Sequence, residues 1–415
     1  MRYRDFIPIL AVVILAVESI AADAPKRADY VPPPKPVDTG RYMVGMQMCP
    51  LWRGEFHWKN IVPYPERKPL LGWYDEGDPE VTDWEIKWCL DHGVSFFMVC
   101  WYRAKANVGK QPVQTLYEHW IKQGLFNSRY GSQFKFAIMW TVNGSVAGGV
   151  DSERDLMENL MPYWIETFFR KPNYLVIDGC PVLSVFDVKK FVSELGGEAA
   201  AKAAIEKMRV ACRAAGFKGL TILGQYCWGT PTNPNQQMKD LGIDYSFAYH
   251  WPTFARAPYM PPGQKPGTIQ VMDGQEKCWQ AQSKGALPNI TTVSVGWDST
   301  PWKSAYSKAQ WRLTPDEFKT LCQRARVFVD QKLSKGLDSR MILIDNWNEY
   351  GEGHYIFPNR KYGFGYLDAI RNVFATNATA HKDVTPEDIG RGPYNKLFPD
   401  TAVTNLLNIN REGAK

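Results

Sequence analysis

Short apolar runs alternating with helix-like stretches predict an α/β chain folded as one (β/α)8 barrel, the TIM barrel. Three observations carry this reading. Eight runs rich in β-branched and aromatic residues recur along the chain, each nearly continuous in apolar character, as strands covered on both faces are. Many of the stretches between them carry helix start and stop signals. The span 41–376 is a normal length for a single barrel. A doubly wound open sheet is the alternative, disfavoured because no glycine-rich phosphate loop follows the first run.

The elements follow in order. The apolar runs are "YMVGMQM" (42–48), "VSFFMVCWY" (94–102), "FKFAIMWT" (134–141), "PVLSVF" (181–186), "LTILGQYCW" (220–228), "DYSFAYHW" (244–251), "TTVSVGWD" (291–298) and "MILIDNWNE" (341–349). Among the helices, 78–93 starts at Asp-Pro and stops at Gly93, and 151–170 has an acidic first turn suited to the helix dipole. The stretch 198–216 is Ala-rich, 314–333 has a Thr cap followed by Pro and acids, and 362–374 is the last helix.

The flanks read differently. Residues 1–21 pair Arg2 and Arg4 with the apolar run Phe6–Val17 and small residues near Ser19 and Ala21, the pattern of a secretory signal peptide. That run is shorter than the ~20 residues a spanning helix needs. The expectation is export to the periplasm or beyond, with no stable membrane insertion after signal removal. Residues 22–40 form a Pro-rich lead-in and 377–415 a C-terminal tail packed on or beside the barrel.

The formal charge of +6 is scattered, with no basic stripe, which argues against nucleic acid as a partner. Eight cysteines are well spread, none in a CxxC pair, and most read as small core residues. His57, His92, His119 and His381 have no neighbours of ligand type in the sequence, so no metal or cofactor is expected. The 16 Trp and 20 Tyr are more than a core needs and suit a cleft whose rings pack on sugar faces.

In an α/β barrel the active site lies beyond the C-terminal ends of the strands. Those ends carry Trp52, Tyr102, Trp140, Asn143, Tyr226, His250, Trp251, Trp297, Asp298 and Asn348, the candidate substrate-binding set. After the last run, "DNWNEYGEGHYIFP" places Glu349 and Glu352 three residues apart among aromatics. Glycoside hydrolysis uses two carboxyl groups, and apolar burial raises the pKa of one so that it can donate a proton. Glu352 as a cap of the following turn, with Glu349 alone chemical, is the other reading of the same spacing.

The stretch "NWNEYGEGHYIFPNRKYGFGYLDAI" resembles the final motif of the WbsX-like proteins, a group related to glycoside hydrolase family 99. "PLLGWYDEGDPEVTDWEIKWCLDHGVSFFMVCWY", "KPNYLVIDGCPVLSVF" and "VGWDSTPW" resemble three further blocks in the same order, from about residue 42 to 374. The resemblance implies a barrel acting on glycans. It implies Glu349 as base on the sugar 2-hydroxyl, closing a 1,2-anhydro sugar with retention, and Glu352 as the general acid. The hydrolase relatives often carry His just before the second Glu, where this chain has Gly351. The expected activity is therefore that of an exported glycoside hydrolase acting on a polysaccharide or complex glycan. A non-catalytic glycan-binding barrel and a WbsX-type glycosyltransferase are the alternatives.

Overall fold

A computed structural model of the chain describes residues 31–112, 115–142, 147–226, 233–251, 268–303, 310–377, 380–391 and 393–394. The expected signal peptide, Asn143 and most of the C-terminal tail lie outside the described residues.

Eight parallel strands form the barrel: β1 (Met43–Met48), β2 (Phe96–Ala104), β3 (Lys135–Trp140), β4 (Cys180–Val185), β5 (Thr221–Gln225), β6 (Tyr245–Phe247), β7 (Thr291–Ser294) and β8 (Met341–Asp345). Their spatial order is β7-β8-β1-β2-β3-β4-β5-β6. The ring closes through a parallel bridge between Ser246 and Asn289, where the Ile290 N–H donates to the Ser246 carbonyl at 2.8 Å. Each expected run contributes a strand. The run 291–298 divides, because after Ser294 the chain leaves the barrel and Gly296–Trp297 pairs antiparallel with Trp311–Arg312 on the rim.

The helices follow their end signals. Helix Pro79–Asp91 is capped by the Asp78 carboxylate, which accepts from the Glu80 N–H at 3.0 Å, and the chain turns at Gly93 with φ +84°. Helix Pro315–Asp330 opens with a reciprocal Thr314–Glu317 capping box. Four further helices, Glu55–Ile61, Val188–Glu194, Asn233–Leu241 and Thr268–Ser283, lie outside the five expected stretches. The first two are short, the third is mostly polar although Asn233-Pro234 and Gly242 mark its ends, and the fourth carries Gly274 inside it.

The pleat decides which side chains reach the mouth of the barrel. Residues in register on neighbouring parallel strands share a face. Trp101 pairs with Trp140, and both pack outward against Trp164, with ring centroids 5.4 and 5.3 Å away. Cys100 and Tyr102 have the opposite parity, and the Cys100 sulfur lies 3.4 Å from that of Cys49 at the top of β1.

The segment leaving β8 is tied down from below. The Trp347 N–H donates to the Gln47 carbonyl at 2.7 Å, and its indole N–H donates to Glu85 at 3.1 Å. Glu85 also accepts from the Trp120 indole at 2.6 Å. Burial, with the nearby Glu76 charge, pushes the Glu85 carboxyl up to about 8. Glu85→Ala strands two buried indole N–H groups and should lower stability by about 2–5 kcal/mol. Glu85→Gln keeps an acceptor. Because the folded carboxyl holds its proton up to about pH 8 and the unfolded one releases it near 4.5, the parent loses stability across that window. The Gln variant should gain on the parent as pH rises from 4.5 to 8 in denaturant titrations.

Candidate active site

The chain turns after β8 into a tight hairpin, Asn348–Glu349 against His354–Tyr355. Glu349 and His354 stand directly opposite in this ladder, and Glu352 lies in the turn between them. The hairpin is held through its backbone carbonyls by two arginines. Arg67 donates to the Tyr350 carbonyl at 2.6 Å, and Arg312 donates to those of Gly353 and Tyr355 at 2.6 and 2.8 Å. Arg312 also lies over the Tyr355 ring, 3.9 Å from its centroid.

His354 is fully buried. Its Nε2 is 2.9 Å from Glu352 Oε2 and its Nδ1 is 3.5 Å from Asp345 Oδ2. Burial disfavours the imidazolium, but these two carboxylates outweigh it and hold the ring at about 10. Asp345 is anchored in turn by the Val295 N–H at 2.9 Å. His354 is therefore a buried cation between acids, and the sequence reading missed it although it stands inside the quoted motif.

Glu349 is the deeper acid. Burial raises its carboxyl well above the usual range, the neighbouring Cys49 and Glu352 add to this, and the His354 charge opposes it. Its Oε1 takes no hydrogen bond from any described residue. Around it, Cys49 Sγ lies 2.9 Å from the Tyr249 hydroxyl, and Asn346 donates to that hydroxyl at 3.3 Å. Gln47 fixes Tyr249 from across the barrel by donating to the carbonyls of Ala248 and Tyr249 at 2.9 and 2.8 Å. Glu352 lies nearer solvent, its side chain 29% exposed.

The other candidates divide. His250 stacks on Trp297 with centroids 4.3 Å apart, and its ring lies 5.4 Å from His354. Burial, and then the His354 charge, keep His250 well below the imidazole range, so it is neutral. Tyr226 and His250 line a cavity of about 330 Å³ together with Phe186, Asp187, Gln225 and Tyr249. Asn348 sits under the hairpin, accepting from the Cys49 N–H at 3.0 Å and donating to Glu76 at 2.6 Å. Glu76 also receives the Trp52 N–H and lies 3.2 Å from His119 Nε2.

Three candidates are corrected, Trp140, Trp251 and Trp52. Trp140 faces the helices by pleat parity. The Trp251 indole donates to the Thr292 carbonyl at 2.8 Å, which also accepts from Trp279 of the outer helix, so Trp251 belongs to the wall. Asp298, by contrast, keeps a partly exposed carboxylate at the rim, engaged by the Arg67 guanidinium and by Thr300. Trp52 is fully buried, and the half-buried ring in front of it is Trp302, stacked at 6.2 Å and 13°. Trp302, His57, Tyr117 and Tyr102 make a continuous half-buried aromatic arc, with successive centroids 6.0, 5.6 and 5.5 Å apart. Trp302 also accounts for Gly351, because a Cβ there would fall 1.9 Å from the indole.

A parallel eight-stranded barrel with two carboxyl groups and an aromatic arc at its C-terminal mouth has the fold of the barrel glycoside hydrolases. The family model described as Glycosyltransferase WbsX matches residues 63–370, and the chain belongs to that family. The chain is similar to the uncharacterised protein WxcX of Xanthomonas campestris pv. campestris, 22% identical over 346 residues. That match covers 77% of this chain and 46% of WxcX, so the chain spans under half of that relative. In structure it is similar to the GH99 endo-alpha-mannosidase from Bacteroides thetaiotaomicron, with TM-score 0.54, 15% identity, and coverage of 90% of this chain and 97% of that one. A glycoside hydrolase-like protein gives TM-score 0.59 at 16% identity, covering 83% and 98%. These likenesses establish the fold.

The His354 clamp carries a signed pH dependence. Its folded pKa is raised from 6.5 to about 10, so its ion pairing stabilises fully below pH 6.5 and is lost as pH approaches 10. His354→Gln should be less stable than the parent at pH 6 to 7, with the gap closing by about pH 10 in thermal melts at stepped pH.

Proposed function

We propose that this chain is an exported glycoside hydrolase that cleaves a polysaccharide or complex glycan with retention, using Glu349 and Glu352. The observation that carries the reading is Glu349 Oε1, a buried carboxylate oxygen left without a described partner and one hairpin turn from a second acid. Buried polar atoms are rarely left unpaired, and a sugar hydroxyl is a fitting donor. The aromatic arc from Tyr102 to Trp302 supplies ring faces for pyranose C–H groups.

The chemistry follows from the two environments. The ionised Glu349 takes the proton of the sugar 2-hydroxyl, and burial makes it a stronger base than an ordinary carboxylate. The 2-oxygen attacks C1, the C1–O bond to the leaving sugar breaks, and that oxygen takes a proton from Glu352. Glu352 is hydrogen-bonded to the His354 imidazolium, so the pair holds the proton this step consumes. Water then adds at C1, giving its proton to Glu352. The C1–O2 bond opens and O2 recovers the proton held by Glu349. A free 2-hydroxyl trans to the leaving group is required, which α-manno sugars have. The relative named as an endo-alpha-mannosidase supports that sugar class, and Trp302 in front of Gly351 gives the cleft here its own shape.

The family description favours a second reading, transfer to an acceptor sugar from a nucleotide sugar. One experiment separates the readings. The purified chain is incubated with a panel of polysaccharides without nucleotide sugar, and reducing ends are measured. Release that falls by about 10²–10⁴ in Glu352→Gln and is partly rescued by an activated aryl leaving group is the expected result. Binding without release identifies a glycan-binding barrel, and product only with nucleotide sugar identifies a transferase.

A further inference from the structure

The opposite end of the barrel holds a second cluster. His92 caps helix Pro79–Asp91 just before β2, at the N-terminal face of the barrel, the end away from the strand tips. Its side chain is fully buried, and its Nδ1 lies 2.6 Å from the Trp88 carbonyl. A carbonyl only accepts, so Nδ1 carries the hydrogen and Nε2 is the nitrogen turned into the cluster. There, Asp383 Oδ1 lies 3.2 Å away and Asp368 Oδ1 3.5 Å away. His381 Nε2 lies 3.0 Å from the same Asp383 oxygen. These oxygens sit beside the His92 Nε2 axis rather than along it, off line for a good hydrogen bond, while their charges still act on the ring.

We propose that His92, His381 and Asp383 form a structural binding site for a divalent transition metal, of which zinc is the best match, with Asp368 beside it. Two bonds of about 2.0–2.1 Å at a tetrahedral angle put donor atoms about 3.3 Å apart. The 3.0 and 3.2 Å separations fit such edges, and the donor atoms of His92, His381 and Asp383 all lie within 4.8 Å of one another. The Nδ1–H to carbonyl contact is the second-shell arrangement that aims a metal-binding histidine. Nitrogen and carboxylate donors in this ratio suit zinc over calcium or magnesium. Asp368 is 47% exposed on its side chain and opens the cluster to solvent.

The site would tie together two parts of the chain that are distant in sequence. His92 ends the first long helix, and His381 and Asp383 belong to segment 380–391. That segment already lies along the first helix, where the Trp88 indole donates to the Val384 carbonyl at 2.9 Å. The N-terminal face of such barrels serves stability, while chemistry sits at the other end. The role is therefore a clamp, independent of the hydrolase reading.

The full-length chain is stripped with chelator, dialysed, loaded with zinc, dialysed again and measured for metal content and melting temperature. The expected result is one zinc per chain and a melting temperature raised by roughly 2 °C or more. Both effects should be lost in His381→Ala and in Asp383→Asn. These residues are partly exposed, so the stripped variants should still melt cooperatively. Cobalt in place of zinc should give the intense visible absorption of a tetrahedral site. Less than about a tenth of an equivalent, or an equivalent retained in both variants, would overturn the proposal.

Discussion

Five carboxylates, Glu76, Glu85, Asp345, Glu349 and Glu352, gather at the mouth of the barrel, and four of them are buried. A buried acid must be neutral, paired or hydrogen-bonded. Each solves this differently. Glu85 sits between two indole N–H groups, and Glu76 collects a backbone N–H and the Asn348 amide. Asp345 and Glu352 share the His354 imidazolium. Glu349 has the Cys49 thiol and the more distant influence of that charge, with one oxygen left without a described partner. The unfilled bonding capacity of Glu349 is thus a consequence of how completely its neighbours are satisfied.

The same constraint explains the rigidity of the hairpin. Arg67 and Arg312 spend their guanidinium donors on backbone carbonyls, and on Asp298 in the case of Arg67. They fix the backbone that presents both acids without pairing either one. A cation placed directly on Glu349 would lower its pKa and remove its strength as a base. Trp302 serves the other requirement, filling the space over Gly351 with a ring that extends the aromatic arc toward the acids.

Much of this was legible in the sequence. All eight strands could be read, because strands buried on both faces must be nearly continuously apolar. The two acids could be read because polar residues ending a buried strand stand out. What could not be read was orientation. Trp140 and Trp101 look like cleft residues by position, yet pleat parity, set by register with neighbouring strands, turns them outward. Trp52 and Trp302 exchange roles because one packs behind the other. His354 carries no sign in sequence that it bridges Glu352 and Asp345. His92 and His381 look isolated because their proximity arises only when segment 380–391 returns to the first helix.

If Glu349 acts on the sugar 2-hydroxyl and Glu352 on the leaving oxygen, as proposed, two displacements occur at C1. Following the anomeric proton by NMR during the first turnovers on a cleaved glycan tests it directly. The first product should carry the anomeric configuration of the substrate. A first product of inverted configuration, appearing before mutarotation, would contradict it.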